Sequence, residues 1–193
     1  MSTVVLLRSL RLAASLVLAA PVVAHGQGGL LSNTATVAIN ATKQASLSVA
    51  INSGGAQTMT TLTDNTVNNF ATPVSITTTW DINPSAAAVV LVGYFSNPSQ
   101  ALANGTDYIA SSLVKGRIGT GGAFSPFAGG VVTGGASTAG VAGGTLTLFS
   151  QSINGTNKSS SRTDDLYLQI DLTGQTVSVG TYAGTLNLRA ITQ

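Results

Sequence analysis

From Val74 to Ile82 the chain keeps a strict period of two. Val74, Ile76, Thr78, Trp80 and Ile82 share one parity, while Ser75, Thr77, Thr79 and Asp81 share the other. Successive side chains of an extended strand point to opposite faces, so this pattern fits a strand with one buried side and does not fit a helix. Asn83 and Pro84 then stop it. The same rhythm recurs at Val37, Ile39 and Ala41, resumes at Ala45, Leu47, Val49 and Ile51, and returns at Leu166, Leu168, Ile170 and Leu172. Runs of strong helix formers are absent beyond the first two dozen residues, and Thr, Ser, Asn, Gly and Ala dominate. Sheet throughout is the reading this supports.

The rest of the chain fills in around these strands. Asn52–Ala56 and Asp64–Asn69 read as turns, with a short strand over Met59 and Leu62 between them. Ala87–Phe95 is almost continuously apolar, as expected of a central strand covered on both sides. Residues 96–105 read as a turn region, and Tyr108–Ile118 reads as a further strand region. Residues 119–144 hold ten glycines and read as a long loop with at most one weak strand, attached through Phe124, Phe127, Val131 and Val132. Thr145–Ile153 and Leu166–Leu172, joined through Asn154 and Gly155, read as an antiparallel hairpin. Tyr182–Ile191 closes the domain as a last strand. The fold class expected is therefore all-β, a single antiparallel two-sheet sandwich of the immunoglobulin-like or pilin-like kind, built from about eight strands. The weak aromatic content, 5%, and a C-terminus of Thr192 and Gln193 argue against a membrane barrel with aromatic girdles.

At the N-terminus Arg8 and Arg11 precede an apolar run from Leu12 to Val23, interrupted by Ser15 and by Pro21 near its end, with Ala24, His25 and Gly26 behind it. A basic head, a short apolar middle and a small-residue exit predict a cleavable signal peptide over residues 1–26, with the β-sandwich domain over 27–193. The run is shorter than the ~20 apolar residues that cross a bilayer. Removing residues 1–26 from a chain of 193 leaves 167, enough for one self-supporting core. The expected location is outside the inner membrane: periplasm, cell surface or extracellular space.

Charge and residue type narrow the chemistry. With Arg8 and Arg11 removed, six basic residues face six Asp, and there is no Glu, so no cationic patch offers itself to nucleic acid or to an anionic membrane. The chain has no Cys, which removes disulfides and a lipoprotein anchor and leaves packing and strand pairing to hold the fold. His25 is the only His and lies at the expected cleavage boundary, so neither a Ser-His-Asp site nor the preferred zinc ligands are expected in the mature domain. Asp164 and Asp165 are adjacent acids that would point to opposite faces, and they read as solvated loop residues. Two oxygen-bearing turns, Asp64, Asn65, Asn68, Asn69 and Asn154, Asn157, Asp164, Asp165, lack the alternating spacing of a calcium loop and read as self-capping turns. Trp80, in register with Val74, Ile76 and Ile82, reads as core, not as a stacking platform for a sugar. Asn40, Asn104, Asn154 and Asn157 begin Asn-x-Ser/Thr triplets, which a Thr-rich chain produces by chance. No catalytic, cofactor-binding or metal-binding residues are expected, no cofactor is implied, and the chain reads as no enzyme.

The segment Val179, Gly180, Thr181, Tyr182, Ala183, Gly184, Thr185, Leu186, Asn187, Leu188 resembles the terminal strand of bacterial pilin-like domains, including alpha-type fimbrial subunits and the spore-coat-U group. In those proteins the Gly allows a sharp turn, and the Tyr plugs the end of the sandwich while its hydroxyl ties back to backbone, a device related to the tyrosine corner. Thr34–Ala41 is similar to the extended segment with which such pilins complete a neighbour's open sandwich. The chain departs from them at its end, Ala190, Ile191, Thr192, Gln193, where chaperone-handled pilins commonly finish on an aromatic or apolar residue. The resemblance implies a structural or adhesive envelope subunit that pairs with other copies, or with other surface subunits, through a sheet edge. The competing expectation is a self-contained binding module, for example for carbohydrate, that uses the Gly-rich stretch and residues 154–165 as its contact surface. The two differ over where Thr34–Ala41 goes.

Overall fold

The computed structural model describes residues 32–83 and 85–193. The expected signal peptide, with His25, lies outside the described residues. Thr42–Gln193 forms one compact unit. Residues 32–41 belong to a separate unit and carry neither strand nor helix. Within them Val37 is 84% and Ile39 88% exposed. The alternation at 37–41 predicts a strand and none forms, because alternation fixes which side chains could be buried but supplies no backbone partner.

Thirteen strands make up the described fold. In chain order they are β1 (Ser46–Ser53), β2 (Val67–Asn69), β3 (Val74–Asp81), β4 (Ala88–Phe95), β5 (Leu102–Asn104), β6 (Asp107–Ile109) and β7 (Val114–Ile118). Then come β8 (Ser125–Pro126), β9 (Val132–Gly134), β10 (Ser137–Ala139), β11 (Thr145–Ser152), β12 (Ser159–Asp171) and β13 (Leu186–Thr192). All pairings are antiparallel. No α-helix occurs among the described residues, only 3-10 turns at Pro98–Gln100 and Ser111–Leu113.

The two main sheets have the orders β1-β3-β12-β7-β8, with β2 also paired to β12, and β11-β4-β13; β5 with β6 and β9 with β10 form two further two-stranded sheets. Side chains from both sheets meet in one apolar core that includes Val74, Ile76 and Trp80 of β3, Leu166, Leu168 and Ile170 of β12, and Val89, Leu91 and Phe95 of β4. This gives the fold its two-layered, sandwich-like character. Each fully buried Leu, Ile or Val here contributes about 1.5–3 kcal/mol relative to exposure. The inward parity read at Val74–Ile82 is the observed one, and Trp80 is buried with its indole Nε1 donating to the carbonyl of Asn157 at 2.8 Å.

The structure corrects the sequence reading in several places. β11 and β12 do not form a hairpin: β11 pairs with β4 in one sheet, and β12 pairs with β2, β3 and β7 in the other. A period of two identifies the buried face of a strand but not its neighbour, and residues 153–158 cross between the sheets. Asp164 and Asp165 lie inside β12, not in a loop. Arg162 and Asp164 share the inward parity of Leu166, and Arg162 Nε donates to Asp164 Oδ2 at 2.7 Å with its guanidinium 4.0 Å above the Phe149 ring. Met59 and Leu62 lie in no strand. Asp64–Asn69 is only partly a turn, since its second half is β2.

The Gly-rich stretch is more ordered than a loop. It contains β8 and the β9–β10 hairpin, whose Val132 and Ala139 pack with Val90, Val92 and Ile191 on the far side of β4. That hairpin is why β4 is buried on both faces, as its unbroken apolar sequence requires. Phe127, fully buried, closes one long side of the two layers. It lies against Gly93 of β4 and Gly116 of β7, where a Cβ would approach its ring to 2.9 Å and 3.2 Å. These two glycines make the room that the ring needs.

Candidate functional site

Opposite the side that Phe127 closes, β1 and β13 face each other as the edges of the two sheets. No backbone hydrogen bond joins them among the described residues. Between the layers at this side lies a cleft of about 590 Å3. Leu186 and Leu188 of β13 form one wall, and Ile51 of β1 with Met59 and Leu62 forms the other. Its floor is core: Val74, Val114, Leu166, Leu168 and Ile170. The floor is apolar because β12 turns its inward parity toward it, while the rim also carries polar residues, Gln57, Thr58, Thr60, Thr181 and Thr185.

The four outer strands differ in how they guard their unpaired backbone. β1 carries a register break between Ile51 and Ser53, and β11 carries one between Thr147 and Phe149. β8 is two residues long and ends on Pro126. Bulges, brevity and proline all discourage pairing with another chain. β13 has none of these: seven residues, in unbroken register with β4 from Leu186↔Phe95 to Thr192↔Val89, with Arg189 as its single charge.

Several contacts hold the ends of the cleft. Tyr182 packs against the core, and its hydroxyl donates to the carbonyl of Ser178 at 3.1 Å, so the corner leading into β13 is tied to backbone four residues upstream. Gly180, at φ 155°, lies against the Asn104 side chain, which a Cβ there would have to displace. On the other wall, Asn68 is buried. Its Oδ1 accepts from the Thr63 amide at 2.8 Å, and its Nδ2 donates to the carbonyls of Thr63 and Thr66. Asp64 Oδ1 accepts from the Val177 amide at 3.0 Å.

The asparagines of the 154–157 turn do not line this cleft. Asn154 and Asn157 cap each other: Asn154 Oδ1 accepts from the amides of Thr156 and Asn157, and Asn157 Oδ1 accepts from the amide of Asn154. Asn68, Asn154 and Asn157 thus spend their side chains on nearby backbone, as self-capping turns do, whereas Asp64 reaches the distant Val177 amide and Asp164 pairs with Arg162. Among the described residues no three of His, Cys, Asp and Glu gather as a metal site would require. Among the described residues three ion pairs are formed: Lys43 with Asp81, Lys115 with Asp171, and Arg162 with Asp164. Lys115 beside Asp171, with further hydrogen bonds from Thr173, holds the Asp171 carboxyl well below the usual carboxylate range. Arg117 lies over the Phe124 and Tyr167 rings, 4.4 Å and 5.5 Å from their centroids.

The last strand is legible in the sequence and the cleft is not. Its walls are contributed by strands far apart in the chain, and only their pairing order reveals which edges are left open. No described helix is long and apolar enough to cross a membrane. Comparison with protein-family models, with curated proteins and with solved structures finds no match.

Proposed function

We propose that this chain is an exported structural or adhesive envelope subunit of the pilin-like, immunoglobulin-like kind, without enzymatic activity, whose work is to associate with further copies of itself by strand addition. The observation that carries this reading is β13, a seven-residue edge strand in unbroken register, whose first half, Leu186 and Leu188, borders a cleft with an apolar floor. Main-chain hydrogen bonds along that edge supply affinity, and alternate side chains entering the cleft set the register.

The occupant is residues 34–41 of a second copy. At ~3.3 Å per residue this segment and β13 have nearly the same length. Val37, Ile39 and Ala41 share one parity, and the first two are almost fully exposed. Placing them over Leu166, Leu168 and Ile170 would remove from water apolar surface worth ~25 cal/mol per Å2. Tyr182, tied to Ser178, fixes the corner from which β13 departs, in keeping with the resemblance of residues 179–188 to a pilin terminal strand.

The segments that a carbohydrate-binding module would use are placed differently from that expectation. Residues 132–139 of the Gly-rich stretch form a hairpin that packs on β4 and β13, and residues 159–165 are strand.

Sedimentation of the exported protein over a range of concentrations tests the proposal. A series of oligomers that grows with concentration, and that collapses to monomer in the Val37→Asp, Ile39→Asp double variant, is expected. A monomer at every concentration would overturn it.

A further inference from the structure

The open side of the two layers is not empty of chain. Residues 55–62 run along the cleft opposite β13, and among the described residues no hydrogen bond reaches any backbone N–H or C=O of this stretch. Two of its side chains, Met59 and Leu62, pack against the core. The stretch is bounded on both sides by anchored chain. Before it, β1 is paired to β3, and from within it the Gln57 side chain reaches back, its Nε2 donating to the carbonyl of Gly54 at 2.7 Å. After it, Asn68 grips Thr63, and the Asn65 amide donates to the carbonyl of Gln175.

A segment with unpaired backbone and only two half-buried apolar anchors opens at little cost, because its peptide groups already bond to water. The floor beneath it is the opposite case. Val114, Leu166 and Ile170 are at most 3% exposed, so something must keep water from them. Met59 and Leu62 are among the side chains that do so.

Resting on the reading of β13 as an acceptor edge, we infer that residues 55–62 are a displaceable plug. They cover the cleft floor in the lone subunit and swing out as a whole, between the fixed points at Gly54 and Thr63, when a strand from a second copy enters. Exchange of one apolar occupant for another keeps the core dry throughout. The incoming strand adds what the plug lacks, a ladder of backbone bonds to β13, and that difference drives the exchange. The plug therefore sets the rate of assembly more than its end point.

Met59 makes the displacement measurable, since the only other methionine is Met1. A half-buried thioether that becomes exposed is oxidised faster by peroxide. The full chain carrying Val37→Asp and Ile39→Asp, which cannot fill its own clefts, is mixed with a synthetic peptide of residues 34–44. Sulfoxide formation at Met59 is followed by mass spectrometry, and amide exchange of residues 186–192 is followed alongside it. The expected result is protection of β13 together with faster oxidation of Met59. In a Met59→Gly, Leu62→Gly variant, peptide entry should be roughly tenfold faster, the factor equivalent to about 1.4 kcal/mol. Protection of β13 with Met59 oxidation unchanged or slowed would overturn the plug while leaving strand addition standing. No protection of β13 by the peptide would overturn strand addition itself, and the plug with it.

Discussion

Phe127 meets Phe95 edge to face, with ring centroids 5.3 Å apart and planes at 79°. The contact joins the Gly-rich stretch to the central strand of the smaller sheet, and it makes the two long sides of the fold unequal. The Phe127 side is sealed by a fully buried aromatic, whereas the cover of the β13 side includes residues 55–62, a segment without backbone bonds among the described residues.

Phe127→Ala should destabilise the protein by roughly 3–5 kcal/mol, since it opens a cavity that Gly93 and Gly116 are too small to fill. Gly116→Ala should cost about 1–3 kcal/mol by forcing a methyl against the same ring, Leu146 and Leu166. Denaturant titration measures both. A Phe127→Ala protein as stable as wild type would show that the Gly-rich stretch does not seal the core.

Asn68 holds the far wall of the cleft with one acceptor and one donating amide nitrogen. Asn68→Ala should cost roughly 1–3 kcal/mol, because the Thr63 amide and two carbonyls lose a buried partner. Asn68→Asp should cost at least as much at neutral pH, where a carboxylate would face the carbonyls of Thr63 and Thr66. Acidification should relieve part of that loss by restoring a donor. Thermal melts of the two variants at neutral and mildly acidic pH decide the matter, and identical pH profiles would contradict it.

How far the sequence foresaw this fold depends on what each residue pattern encodes. Val74–Ile82 and Ala88–Phe95 were legible because burial on one face or two leaves a direct mark on side-chain polarity. The partition of strands into sheets was not, because Leu166–Leu172 would read the same whichever strand lay beside it. The first half of β12 was hidden by its own composition. Ser159–Asp165 holds no apolar residue, and its inward positions are occupied by Arg162 and Asp164 under Phe149. A basic and an acidic residue two apart, just ahead of an alternating run, was the signal available. The β9–β10 hairpin escaped notice because it attaches through residues as small as Ala139, while its glycines suggested mobility. The cleft left no mark at all, being a property of which edges remain unpaired.

The Lys115–Asp171 pair should shape the acid limb of the stability curve. Asp171 has its carboxyl pKa depressed in the folded state, chiefly by the Lys115 hydrogen bond. A depressed carboxylate pKa adds stability above the unfolded value near ~4, and this contribution is lost as pH falls through the folded value. Lys115→Met should therefore be less stable than wild type at neutral pH, with the gap closing as the pH is lowered below ~4. Denaturant midpoints across that range provide the check. A gap that stays constant with pH would assign the effect to packing of the lysine stem and not to its charge.

Amide hydrogen exchange along β13 tests the account most directly. In dispersed subunits, the Leu186–Thr192 amides that point away from β4 should exchange rapidly, while those paired to β4 stay protected. In assembled protein both sets should be protected, and Val37→Asp with Ile39→Asp should abolish the difference. Outward amides that exchange equally fast in assemblies and in single subunits would contradict the claim that β13 receives a strand.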